Sequence, residues 1–485
     1  MFCWSPLRPT ANRLPTEFVL RASGDGCRAS IRCQNAPVDL DAIFKAYDVR
    51  GTVPDQLDDD AARRIGGGFA DFAGAERIAV GRDVRTSSLV LAEALIDGIL
   101  SRGVAVDDLG MITTDMAYYA AGVLDEPGAM ITASHNPKGY NGIKLCLAGA
   151  APVGADTGLD EVKRRAIADL PAAEPATRRP VAILGRYLDH LVGIVGSASI
   201  SEMRVAVDGG NGTAGVAIPA LFERIPATLI PLHLEPDGTF PNHHPDPLRP
   251  ENLRDLEALL AEESPSLGVA FDGDADRAFF IDDRGHAMAG STVTAMLAAW
   301  YLAREPGATI VHNLICSRAV PEVILESGGT PVRTRVGHSY IKTVMSESGA
   351  VFGGEHSGHY YFRDHYRADS GILAMLILLR LMSEDGRPLS AIRTHFERYV
   401  QSGEINLAVS DQSRSMEAVA AAFAGDQDRL DGLTVSLGDR WLNLRPSNTE
   451  PVLRLNVEAP DDDGVAILIE KVTTIVEEVS RAGAT

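Results

Sequence analysis

Four short stretches of this chain gather residues able to do chemistry. In "FDGDADR", residues 271–277, Asp272, Asp274 and Asp276 alternate with Gly273 and Ala275 just after the apolar run "LGVAF". Read as extended chain, residues two apart face the same way, so the three carboxylates converge. Clustered anions repel one another unless a cation neutralises them, and hard carboxylate oxygens select Mg2+ or a similar ion. The flanks "LGVAF" and "AFFI" read as buried, which argues against a solvated acidic loop. An EF-hand would want glycine at its sixth position and glutamate at its twelfth. Here those positions hold Arg277 and Asp283. A DxDx(T/V) phosphatase motif fails as well, because Asp276 stands where Thr or Val is required.

The second stretch, "RPSNTEP" (445–451), places Arg445, Ser447, Asn448 and Thr449 within five residues. A guanidinium, two hydroxyls, an amide and several backbone N–H groups form the donor set for an oxyanion such as phosphate. The third, "GGEHSGH" (353–359), offers Glu355 and Ser357 on alternate positions of a glycine-rich loop. Such a loop approaches closely and suits vicinal hydroxyls, as on a sugar. His356 and His359 raise a zinc reading, but no cysteine or third nearby ligand completes it.

The fourth, "TASHNPKGYNGIK" (132–144), holds Ser134 in a turn beside His135 and Asn136, with Lys144 ten residues on. The serine can cap a helix, attack a substrate or carry a phosphate. A hydrolase nucleophile would need the GxSxG elbow and a placed base, and a neighbour at i+1 does not align as a catalytic pair. With a carboxylate-held metal and an oxyanion loop elsewhere, a phosphoserine becomes coherent. It would supply an oxygen to Mg2+, which is seldom bound by protein ligands alone.

The elements that must position these loops alternate. From "LDAIFKAYDVRG" onward, short apolar strands ("RIAVG", "GAMIT", "RVAVDGG", "LGVAF", "ATIVHN", "AVFGGE") are separated by longer helical stretches, the pattern of an α/β protein. A helix–turn–strand echo recurs about every hundred residues in "LAEALIDGILSRGVAVDDLG", "AIPALFERIPATLIPLH" and "AVPEVILESGGTPVRTRVG", suggesting three related α/β units. After about residue 400, closely spaced strands flanked by helices suggest an α+β domain. Joints are expected at "LPAAEPATRRP" (170–180), near 290 and near 400. The expected domains are 38–182 with the serine loop, 183–290 with the metal loop, 291–400 with the sugar loop and 401–485 with the phosphate loop.

Length, 485 residues, calls for several domains. A net charge of −21 excludes nucleic acid and anionic membranes as general partners. An anionic small substrate would therefore need basic residues concentrated locally. No apolar run approaches the ~20 residues that span a bilayer. The five cysteines (Cys3, Cys27, Cys33, Cys146, Cys316) show neither CxxC spacing nor a disulfide framework, which fits a reducing cytoplasm. Residues 1–37 stand apart: through residue 36 they carry five arginines, two acids and three of those cysteines. This extension is expected to be disordered, since "FVL" is too short for a signal peptide core.

In order along residues 40–485, "FKAYDVRG", "GRDVRTSS", "TASHNPKGYNGIK", "DGDADR", "RVGHSYIK", "GGEHSGH" and "RPSNTEP" together resemble the α-D-phosphohexomutase superfamily, in its bacterial phosphomannomutase/phosphoglucomutase branch. The resemblance implies three topologically similar α/β domains plus a C-terminal α+β domain around a central cleft. It implies that Ser134 is the phosphorylated serine and, with Asp272, Asp274 and Asp276, a magnesium ligand. It implies that Glu355 and Ser357 hold sugar hydroxyls and that Arg445, Ser447, Asn448 and Thr449 hold the distal phosphate. Lys144 and His338 match residues near the reacting groups, and Tyr47, Arg50, Arg277 and His359 match residues of the same cleft. The implied reaction interconverts hexose 6-phosphate and hexose 1-phosphate, with a hexose 1,6-bisphosphate as intermediate and activator. A phosphoglucosamine mutase and a non-catalytic sugar-phosphate binder are the competing readings. Many relatives carry lysine before the "CSR" segment, where this chain has Ile315.

Overall fold

The computed structural model describes residues 38–168, 173–196, 199–447 and 452–482. The expected extension 1–37, and Asn448 and Thr449, lie outside them, as does the side chain of His338. Four sheets carry the fold.

The first three sheets repeat one plan. In the first, Arg77–Arg82 runs parallel to Ala105–Met111 on one side and to Gly128–Ile131 on the other. In the second, Arg204–Asp208 is flanked the same way by Thr228–Leu232 and Leu267–Phe271. In the third, Thr309–Asn313 is flanked by Thr330–Thr334 and Phe352–Gly354. Each first crossover is the helix of the sequence echo: Ser88–Leu100, Ala214–Phe222 and Ala319–Glu326. Parallel neighbours need such a crossover, and the helices cover the apolar sheet faces.

Each sheet then reverses. Tyr140–Leu147 pairs antiparallel with Gly128–Ile131, Ala278–Ile281 with Leu267–Phe271, and Tyr360–Phe362 with Phe352–Gly354. The loops that make these three reversals are the serine, aspartate and sugar loops. Three of the four chemical motifs thus occupy one topological position in three related units.

The expected joint at 170–180 contains the strand Arg178–Pro180, which extends the first sheet beyond Ala105–Met111. At the expected joint near 290 a buried helix begins. The helix Gly290–Leu302 is almost wholly buried, and the apolar helix Gly371–Asp385 packs against it and against Leu184–Val195. One hydrophobic core therefore runs from Met116 and Tyr119 through Phe271 to Leu376.

The C-terminal sheet is entirely antiparallel, in the order Val400–Ala408, Val452–Ala459, Trp441–Pro446, Leu433–Ser436, Asp426–Asp428. The helices Gln412–Ala422 and Asp462–Ala482 pack on it, as an α+β domain requires. Its core, built on Leu442, Leu444, Leu455 and Val472, is separate from the others. An ion pair ties it to the third unit, Arg333 on Asp428. Among the described residues no helix is long and apolar enough to cross a membrane.

Candidate active site

The aspartate loop begins where Leu267–Phe271 ends. It does not continue as a strand: Ala275 takes a left-handed φ of 61°, and the loop coils tightly enough for the Asp272 carboxylate to accept from the Arg277 N–H at 3.2 Å. The carboxylates converge through this coil, not through strand alternation. All three are fully buried, and each offers an oxygen within 4.8 Å of the others. Asp274 Oδ1 and Asp276 Oδ1 are buried without a hydrogen-bond partner among the described residues. Burial, with Asp276 and Asp274 beside it, pushes Asp272 well above the usual carboxylate range. Three buried carboxylates face two close cations, Lys144 and Arg277, so a further hard cation fits this oxygen set.

The serine loop is pressed against the aspartate loop. A Cβ on Gly273 would lie 2.6 Å from the carbonyl oxygen of Ser134, so glycine is needed for the approach. Ser134 has a φ of 48° and is almost wholly buried. Its Oγ donates to Asp272 Oδ2 at 2.6 Å. Buried Arg85 pins the loop, donating to the carbonyls of Ser134 at 2.7 Å and Asn136 at 2.6 Å. A turn and then the strand Tyr140–Leu147 follow, and no helix begins here, so the capping role falls. His135 Nδ1 lies 3.2 Å from Ser134 Oγ and also receives Arg277 Nη2. Burial and the Arg277 charge hold its pKa well below the usual histidine range. The ring is neutral with its Nδ1 lone pair committed to arginine, unlike the base of a hydrolase.

Antiparallel pairing sets Lys144 opposite Met130 and returns its side chain to the aspartates. Its Nζ lies 3.0 Å from Asp274 Oδ2 and also contacts Asp276 Oδ2. Burial alone would lower its pKa, but the two carboxylates win and hold it well above the ordinary value. Thr114 Oγ1 (2.6 Å) and Thr132 Oγ1 (3.2 Å) also donate to Asp274 Oδ2. Burial acts against ionisation of Asp274, yet Lys144 and Thr114 keep its pKa low.

In the sugar loop, Glu355 Oε1 accepts from Gly337 N–H at 3.1 Å and Oε2 from Ser357 Oγ at 3.0 Å. The two histidines part company. His356 meets Ser291 Oγ at 3.0 Å. His359 Nδ1 lies 3.0 Å from Asp369 Oδ2 and 3.8 Å from Asp276 Oδ1, and its backbone bridges Arg277. No zinc pair forms, although Asp276, His359 and Asp369 do cluster. Burial first, then Tyr340, push the Tyr47 hydroxyl up to about 12, and it donates to the Val336 carbonyl at 3.1 Å. Arg50 reaches the Asn136 side chain and ion-pairs with Asp48.

These loops open on a cleft of about 1000 Å³. Tyr47, His135, Asn136 and Arg277 line it on one side, Ile315, Gly337, His356 and Ser357 on another, and Glu404, Arg445, Ser447 and Arg454 close the far end. Arg50, Glu355 and His359 stand behind this wall, in contact with residues that form it. Lys45, Arg249, Arg277, Arg445 and Arg454 outnumber Asp246 and Glu404 in the lining. That is the local basic surplus an anionic substrate requires of a chain charged −21. A second cavity, about 470 Å³ beside Met203, Met382 and Arg387, contains none of the motif residues.

Sequence reasoning missed Arg85, Thr114, Asp369, Glu404 and Arg454 as site residues. Arg85 sits inside a quoted motif, "GRDVRTSS", but its target is 49 positions away. Thr114 starts a helix and gives no local signal of its partner, 160 positions away.

Models of the phosphoglucomutase/phosphomannomutase family match in order: alpha/beta/alpha domain I over residues 41–169, domain II over 185–285, domain III over 290–399 and the C-terminal domain over 404–475. A phosphomannomutase from Salmonella montevideo is 40% identical over 433 residues, covering 86% of this chain and 95% of that protein. A protein of Xanthomonas campestris pv. campestris named for phosphohexose mutases is 39% identical over 446 residues, covering 90% and 99%. The crystal structure of a phosphoglucomutase/phosphomannomutase family protein from Burkholderia thailandensis superposes with a TM-score of 0.84 at 32% identity, covering 91% of this chain and 98% of that one. The fold, the order of the motif loops and these likenesses agree: the chain belongs to the phosphoglucomutase/phosphomannomutase family of phosphohexomutases.

Proposed function

We propose that this chain is a phosphomannomutase that also accepts glucose phosphates, interconverting hexose 6-phosphate and hexose 1-phosphate through a phosphoserine at position 134. One observation carries the reading: Ser134 Oγ lies 2.6 Å from a magnesium-type aspartate, and its neighbours His135 and Asn136 line the same cleft as Arg445 and Ser447.

In the proposed first transfer, a substrate hydroxyl attacks the phosphoryl group on Ser134. The bond from phosphorus to Ser134 Oγ breaks as the new ester bond forms, and the hydroxyl proton passes to a base. Ser134 Oγ takes up a proton as it leaves, and the bisphosphate then turns over. Ser134 Oγ gives that proton up as it bonds the original phosphoryl group. The ester bond from that group to the sugar breaks with its oxygen taking the proton held by the base, leaving the isomer. Lys144 and Arg277 offset charge on the transferring group, so positioning and electrostatics dominate. Held protonated by two carboxylates, Lys144 acts as a fixed charge rather than as the base. His359 suits the base better, because an Nδ1–H given to Asp369 leaves the Nε2 lone pair available. The Arg50 guanidinium orients Asn136 beside the phosphoserine, and His338 completes the proposed catalytic group. Glu355 and Ser357 would exchange their mutual hydrogen bond for sugar hydroxyls, next to Tyr47. Ser447, with Asn448 and Thr449 of the same loop, would join Arg445 on the distal phosphate.

Asp272, Asp274 and Asp276, with the Ser134 phosphoryl oxygen, would hold Mg2+, which supplies Lewis-acid neutralisation of the transferring group. The C-terminal domain has a core of its own and can close the cleft as a body, excluding water. Cys146 and Cys316 are buried free thiols, which supports the cytoplasmic reading.

The test is conversion of mannose, glucose and glucosamine 1-phosphates to their 6-phosphates, with Mg2+ and a trace of the matching 1,6-bisphosphate. Turnover of the mannose and glucose substrates is expected. Preference for the amino sugar would make this a phosphoglucosamine mutase, and binding without conversion would make it a sugar-phosphate binder.

A further inference from the structure

At the far end of the cleft three strands lie side by side. Their registers set Asn406 opposite Arg454 and Arg454 opposite Arg445, with Glu404 opposite Asn456 one step along. Directly opposed residues share a face, and like charges placed so repel. Two guanidiniums therefore stand together on the wall of the cleft, and Glu404 is what holds them there. Its Oε2 takes Arg445 Nη2 at 2.7 Å, while Oε1 lies 3.5 Å from Arg454 Nε.

The carboxylate reaches this position through an irregularity. Pairing slips between Gln401 and Glu404, and Gly403 adopts a φ of 67°. A bulge of this kind re-aims the next side chain and is found beside functional sites. The Nε atoms of both arginines are buried and make no hydrogen bond among the described residues. Arg445 thus keeps donor capacity in reserve while the pair shares one carboxylate. An oxyanion arriving beside Ser447 competes with Glu404 for Arg445.

We propose that Glu404 is a displaceable counter-ion: it yields Arg445 to the substrate's distal phosphate and is then retained by Arg454. This rests on the phosphohexomutase reading, in which the bisphosphate must release this end of the cleft between its two transfers. Two guanidiniums alone would match a phosphate dianion in charge and grip it. The carboxylate brings the net charge to one and keeps release fast. Binding energy spent equally on substrate and transition state lowers KM without raising kcat, so a weakened grip serves turnover. Glu404 is a positioning residue, since it acts through Arg445.

The test measures steady-state kinetics with mannose 1-phosphate and calorimetric binding of mannose 6-phosphate on the same proteins. Glu404→Gln is expected to lower both KM and Kd about fivefold and to lower kcat. Glu404→Asp keeps the charge with a shorter reach, should shift them the same way by less, and stands in if the Gln variant fails to fold. Arg454→Met frees Glu404 to compete and should raise KM, and this rise should vanish in the Glu404→Gln background. An unchanged or raised Kd in Glu404→Gln would make the carboxylate a strut and overturn the proposal. An equal rise from Arg454→Met in both backgrounds would overturn it too, by making Arg454 a direct phosphate ligand. Wild type that binds without turning over, with tighter binding in Glu404→Gln, would end the mutase reading and leave the counter-ion standing.

Discussion

The two ends of the cleft are built differently. At the Ser134 end, three loops from three related sheets interlock, and the groups they bring together are buried and held by bonds that cross domains. Ser134 reaches Asp272, Lys144 reaches Asp274 and Thr114 reaches Asp274, all between the first unit and the second. At the Arg445 end the groups sit on strands of one sheet, in a domain with its own core, and Glu404 is one-third exposed. Under the proposed function, the contrast assigns rigidity to the end where bonds would change and exchange to the end where a phosphate would be taken and released. Preorganised charge is most effective where water is excluded, whereas a partly wet ion pair is cheap to open.

The contrast breaks if the ends respond alike to mutation. The largest effect is expected from Ser134→Ala, which removes the proposed phosphate carrier and should cost at least about 10³-fold in turnover while leaving sugar-phosphate binding in place. Next comes Lys144→Met. It takes the lysine from a buried carboxylate cluster, so kcat should fall about 10²–10³-fold, and unfolding should show a loss of about 3–5 kcal/mol in the absence of metal. Added Mg2+ should recover part of that stability, seen as a rise in Tm. Arg445→Ala belongs to the other end. It should raise KM about 10–100-fold, with phosphorylation of Ser134 by bisphosphate still complete. If Arg445→Ala blocked phosphorylation of Ser134 outright, the division of labour would be wrong.

A further effect, on stability rather than turnover, concerns the burial itself. Asp115 lies beneath the reacting end, accepting from Tyr187 at 2.5 Å and from Ser370, and burial raises its pKa from 3.8 to about 6 despite those donors. Between those values the folded state binds the extra proton. The stabilisation is therefore complete below pH 3.8, declines as pH rises and is lost above about 6. Denaturant titrations should show wild type losing about 3 kcal/mol relative to Asp115→Asn across that window. A pH-independent difference would mean that Asp115 titrates normally.

Local chemistry was what the sequence made legible. Asp272, Asp274 and Asp276 lie within five residues, Glu355 beside Ser357, and Ser134 within a recognisable turn, so their partnership needs little tertiary information. The helix–turn–strand echo also held, because each crossover must bury its apolar face locally. What escaped was set by long-range packing. Nothing near Arg85 in the chain says that it pins the Ser134 carbonyl, and nothing near Asp369 says that it orients His359. Strand alternation was the wrong geometry for the aspartates, since a left-handed Ala275 coils the loop instead. Glu404 and Arg454 read as ordinary alternating strand residues until register placed them beside Arg445. The joint near 290 was legible too, falling between the stretches matched by the domain II and domain III models, although composition did not reveal that the helix Gly371–Asp385 packs back against Leu184–Val195.

The most direct measurement is mass spectrometry of the peptide containing Ser134, during exchange with labelled hexose 1,6-bisphosphate. Phosphate should appear on Ser134 and leave it when unlabelled mannose 1-phosphate is added, at a rate no slower than turnover. Steady conversion of 1-phosphate to 6-phosphate with Ser134 unmodified throughout would contradict the account.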